Sequence, residues 1–181
     1  STIIAQISGE KLSENDSYST IIWQLRLPRV LLAFLVGSIL ATAGCAYQGA
    51  FRNPLADPYL LGVSAGAGLG ATLIIVHAST ARNFYLPVAA FGGALAAVSI
   101  TYLLGRSAIS GRSSTALILA GVAVASVLTA AQTLVQQQNT DVLREVYTWI
   151  LGRLSTSGWG ELLVITPYIL ICSVVLLRYR R

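Results

Sequence analysis

Long apolar runs separated by single charges set the rhythm of this chain. About 22 uncharged residues lie between Arg29 and Arg52, about 24 between Asp57 and Arg82, and about 23 between Arg82 and Arg106. A fourth block of about 28 runs from Arg112 to Asp141, and its last part, QTLVQQQNT, is polar. A bilayer-crossing helix needs roughly 20 apolar residues, so each block is long enough. A fifth block, LLVITPYILICSVVLL, is shorter and gains length from Trp159 and Gly160 at the interface. The pattern predicts five spans near 29–51, 59–80, 84–105, 114–136 and 160–178. Between the last two, VLREVYTWILGRLSTSGW is amphipathic and too short to span, which predicts a surface or tucked-in helix near 142–152. The first 25 residues mix Glu10, Lys11, Glu14 and Asp16 with serines and read as an aqueous segment. It ends in a short surface helix near Trp23, a residue suited to the headgroup layer.

Composition agrees with a lipid solvent. Hydrophobic residues make up 55% of the chain and charged residues only 10%, with a mean hydropathy of +0.70. A soluble domain carries about 25% charged residues. The net charge of +5 is spread singly between oily runs, unlike the clustered basic face of a nucleic-acid binder. Cys45 and Cys172 lie inside apolar runs without a CxxC pair, and His77 is the one histidine, so packing is the expected role of both thiols. His77, late in the second span, reads as an interfacial residue.

Two stretches bear on architecture. In GVSAGAGLGATL, Gly62, Gly66 and Gly70 recur every four residues, which predicts a helix face bare enough for two backbones to approach. Gly37, Gly44, Gly49, Gly92 and Gly93 repeat the theme. As a nucleotide loop the stretch lacks a preceding strand and a Walker lysine. In FRNPLADPYLLG, Asn53 and Asp57 each precede a proline, so the helix ending near Phe51 must stop, turn and restart near Tyr59.

RLPRVLL, residues 26–32, sets Arg26 and Arg29 at the entrance to the first span. The residues alone leave two readings: anchors that snorkel to headgroups, or a docking site for a partner. The positive-inside count is tied at six against six, so it does not choose an orientation. Intramembrane hydrolysis would need a Ser-His pair, paired aspartates or a zinc motif, and the pattern specifies none. A channel lacks an intramembrane charge ring, and the absence of a P-loop assigns ATP-driven work to another chain.

Residues 25–73, LRLPRVLLAFLVGSILATAGCAYQGAFRNPLADPYLLGVSAGAGLGATL, resemble the signature region of the FecCD family, permeases of bacterial ABC importers for iron-siderophores, haem and cobalamin. STALILAGVAVASVL and VYTWILGRLSTSGWGEL resemble later segments of that family in the same order. The resemblance implies an all-α, polytopic transmembrane helix bundle, multi-pass in the bacterial plasma membrane. About five spans of a typical ten are present, the family's second to sixth. Residues 1–28 then form an extracytoplasmic segment following the family's first span, and 29–181 the permease region, so the chain reads as a fragment or a truncated product. It implies an outer position for Arg26 and Arg29, which match the arginines that pair with glutamates on a substrate-binding protein.

The further partners it implies are a separate ATPase subunit that uses ATP, a second permease copy, membrane lipid and the iron chelate, with no cofactor or metal held by this chain. A pathway for a hydrophilic chelate needs walls that touch without gripping. Gln132 and Gln136, four apart on one helix face, and Gln48 in the first span are the expected lining, although an ordinary wet helix end would look the same. The alternatives are a cobalamin rather than an iron importer, or a non-transporting membrane subunit of another complex.

Overall fold

The structure, a computed structural model, describes residues 21–54, 56–78, 82–107, 114–152, 154 and 159–178. All regular elements among them are helical. A π turn, Ile21–Arg26, runs straight into α1 (Leu27–Phe51). A 3-10 turn, Pro58–Leu61, precedes α2 (Val63–His77), followed by α3 (Arg82–Ser107) and α4 (Ser114–Gln138). A second 3-10 turn, Thr140–Val142, leads into α5 (Leu143–Leu151), and α6 is Trp159–Arg178. Among the described residues, three helical stretches are long and apolar enough to cross a membrane, Ile21–Phe51, Phe84–Ser107 and Thr115–Gln138; Val63–His77 and Leu162–Arg178 are apolar but shorter.

The chain divides into two compact units, one of Ser1–Ala46 with Arg153–Arg181 and one of Tyr47–Gly152. In the first unit, the helix expected to open at Arg29 is already continuous from Ile21, with the fully buried Pro28 inside it. Proline has no N–H and its ring crowds the carbonyl four residues back. The wider π turn immediately upstream is a way to relieve that crowding. Trp159, the first residue of α6, donates its indole N–H to the Trp23 carbonyl at 2.9 Å.

In the second unit, α2 lies at the centre and packs against α3, α4 and α5. Its buried residues, Gly66, Gly68, Ala71, Thr72 and Ile75, face several directions, as befits a helix enclosed by protein. A side chain at Gly66 would collide with the Gly93 carbonyl and stand 2.7 Å from the Ala97 Cβ of α3, and one at Gly70 would collide with the Ala89 carbonyl. Gly93 meets Gly66 in return. Gly62, expected on the same face, is not in the helix. It holds φ 77 just before α2, a left-handed geometry natural to glycine, and faces Gly121 and Ala125 of α4. Gly37, Gly44, Gly49 and Gly92 have nothing within 4 Å of where a side chain would begin among the described residues.

The turn from α1 to α2 is closely determined. Asn53 N–H reaches the Gln48 carbonyl at 3.1 Å and Arg52 N–H the Gly49 carbonyl at 3.3 Å, closing α1 with Arg52 at φ 49. The Asp57 carboxylate accepts from Tyr59 N–H at 2.7 Å and starts the 3-10 turn. The Leu61 carbonyl accepts from the buried Thr101 hydroxyl of α3 at 3.1 Å. On the other side, the Leu60 carbonyl sits so close to Gly121 of α4 that no side chain fits there.

Candidate functional site

Each unit carries one feature of functional interest. In the first, Arg26 closes the π turn and Arg29 lies in the opening turn of α1, both exposed. They lie three apart on one continuous helix.

In the second, an open groove runs along α4 from Tyr59 and Leu60 of the 3-10 turn to Gln137. Its polar wall is Ser126, Thr129, Thr133 and Gln137, with apolar Val122 and Leu134 beside them. Steps of three, four and four place these polar residues on one helix face. The Ser126 hydroxyl donates to the Val122 carbonyl at 2.9 Å and the Thr133 hydroxyl to the Thr129 carbonyl at 2.9 Å. Such hydroxyls spend their proton within the helix and keep lone pairs for a solute. This stripe is polar and uncharged, and Leu60, Val122, Ala125, Ala130 and Leu134 make the rest of the lining mostly apolar.

Gln132 and Gln136 do not line this groove. They are 8% and 7% exposed, and Gln132 lies over Gly68 of α2, whose missing side chain leaves the amide its space. They face inward because α4 turns that side to α2, and the next face round the helix is the open one. Gln48 is exposed on α1, and the described geometry does not bring it to the groove. The sequence signal for the polar part of this groove is Ser126-x2-Thr129-x3-Thr133-x3-Gln137, a stripe at helical spacing. His77 is exposed and donates Nδ1–H to the Leu73 carbonyl at 3.0 Å at the end of α2. Cys45 and Cys172 are free thiols, Cys45 exposed, and no group of three or more metal-ligating side chains occurs among the described residues.

The model of the FecCD transport family matches residues 1–181. The chain belongs to the FecCD transport family. The haemin transport system permease protein HmuU of Yersinia pestis is 41% identical over 181 residues, covering 93% of this chain and 52% of that protein. The cobalamin import system permease protein BtuC of Halobacterium salinarum is 37% identical over 167 residues, covering 92% and 44%. A metal-chelate type ABC transporter solved in an inward-facing conformation superposes with a TM-score of 0.79 at 30% identity, covering 92% of this chain and 53% of that one. The chain therefore spans about half the length of the relatives it matches. With its apolar helices, this FecCD chain is an all-α, multi-pass integral membrane protein.

Proposed function

We propose that this FecCD chain forms part of the permease of a binding-protein-dependent ABC importer. The cargo is a metal chelate, an iron siderophore or haem, moved by alternating access. The observation that carries this reading is the uncharged stripe of three hydroxyls and one amide along α4, set in an otherwise mostly apolar groove. A charged wall would hold a charged chelate tightly, and a purely apolar one would exclude it. Hydroxyls and amides touch many polar solutes weakly, which suits passage. The names of the haemin and metal-chelate relatives support the cargo class. Cobalamin is the second reading, favoured by the Halobacterium salinarum relative. Competition for uptake between labelled haem, a ferric siderophore and cobalamin separates them.

In this reading Arg26 and Arg29 receive the acidic lobes of the binding protein, and an ATPase chain supplies the work from the cytoplasm, with a second permease copy completing the pathway. A guanidinium offers forked donors to a carboxylate, and on one stiff helix two of them are ordered at small entropic cost. The test is R26E/R29E in the intact transporter. Binding-protein affinity is expected to fall at least about tenfold, given the worth of close interfacial charge pairs. Matching reversals on the binding protein should restore it. Unchanged affinity in the double reversal would leave the arginines as lipid anchors.

A further inference from the structure

The start of α1 combines a π turn, a buried proline and a hydrogen bond from a distant tryptophan, none of which the proposed function requires. In a π turn each carbonyl accepts from the N–H five residues on, and in an α-helix from the N–H four residues on. For Trp23, inside the π turn, the residue five on is Pro28, which has no N–H to give. The proline thus withdraws the π-type donor from the Trp23 carbonyl just before the turn becomes α1. The indole N–H of Trp159 meets the Trp23 carbonyl at 2.9 Å, from 136 residues away in sequence. This is a tertiary contact within one compact unit, not a local cap. Tryptophan suits the task because it combines a large apolar ring with an N–H that donates and never accepts. Both rings keep an exposed edge, Trp23 at 39% and Trp159 at 41%.

We infer that Trp159 is the positioning residue for Arg26 and Arg29. Its indole N–H replaces a donor that Pro28 removes, and so holds the π turn in the register that sets where the two guanidiniums stand. Arg26 belongs to the π turn and Arg29 to the α-helix beyond it, so their mutual geometry depends on where one geometry gives way to the other. If the turn relaxes to α geometry, Arg26 swings around the axis while Arg29, past the proline, stays. The consequence for docking rests on the reading of the arginines given above, whereas the grip on the turn can be measured without it.

The experiment compares the intact transporter with W159F, P28A and the double variant W159F/P28A. Amide exchange over residues 21–30 reads the turn. W159F is expected to raise exchange there roughly fivefold, the worth of about one net hydrogen bond. In the double variant residue 28 carries its own N–H, so the turn no longer depends on the indole, and the added effect of W159F should vanish. A Trp159 that merely packs would cost the same in both backgrounds. Equal cost, or no change on W159F, overturns the inference. Binding-protein affinity provides the second readout and should follow the same rescue. If affinity falls in R26E/R29E yet ignores W159F, the positioning role is overturned. If affinity ignores both, the docking reading falls, and the exchange pattern alone decides whether Trp159 holds the turn.

Discussion

Arg52 occupies a backbone region that a side chain rarely adopts, at φ 49. It stands just past the end of α1, where the Asn53 and Arg52 amides fold back onto Gln48 and Gly49, and most helices closing this way place glycine there. A Cβ in the left-handed region costs roughly 1 kcal/mol. Arg52→Gly should therefore raise stability by up to about 1 kcal/mol, less what glycine's freer unfolded chain subtracts. Thermal unfolding in detergent measures this. A lower melting temperature would mean that the guanidinium makes contacts worth more than the strain. The two Asx-Pro pairs announced this turn in the sequence. They did not announce that an arginine would take the glycine position, because its φ follows from how Asn53 and Ala56 are drawn back, not from its own propensity.

Among the elements, α2 departs furthest from its sequence pattern. The uncharged run predicts a span over 59–80, but the helix holds 15 residues, Val63–His77, about 22 Å against a hydrocarbon core of about 30 Å. Irregular backbone at membrane depth is tolerated where protein surrounds it, and the turn before α2 has Thr101 and Gly121 on either side. Charges bracket the apolar blocks, so the existence and order of the helices were legible. Their ends were not, since a left-handed Gly62 and a buried Pro28 act through geometry that hydropathy does not register. Partner choice was hidden as well. Gly92 and Gly93 are neighbours in sequence, yet only Gly93 meets another helix, at Gly66. Gly66→Leu must push α3 away and should cost about 3 kcal/mol, the upper part of the usual overpacking range. Gly92→Leu, facing open space, should cost little. Detergent-induced unfolding of the two variants side by side checks this, and equal losses would contradict the packing described for α2 and α3.

For the whole molecule, the sequence showed a membrane bundle, and family membership followed from its motifs, while the groove on α4 lies one helix face round from Gln132 and Gln136. Gln132 and Gln136 and the pair Thr133 and Gln137 have the same four-residue spacing, so periodicity cannot tell them apart. Only the packing of α4 on α2, with Gly68 beneath Gln132, shows which pair turns outward. If cargo passes along this wall, T129L/T133L should slow uptake several-fold while leaving folded protein and binding-protein affinity unchanged, the loss of two hydroxyl contacts at about 1 kcal/mol or less each. A transport assay in vesicles decides it, and undiminished uptake would remove the wall from the pathway. The close seats described for the turn before α2 also have a mechanical consequence. The Leu60 carbonyl rests on Gly121, Leu61 is tethered to Thr101, and Gly66 and Gly70 abut Gly93 and Ala89. Joints without clearance transmit displacement instead of absorbing it. A push delivered to the loop after α1 would pass through α2 to α3 and α4, and under the proposed reading a change of access moves these three together as one lever.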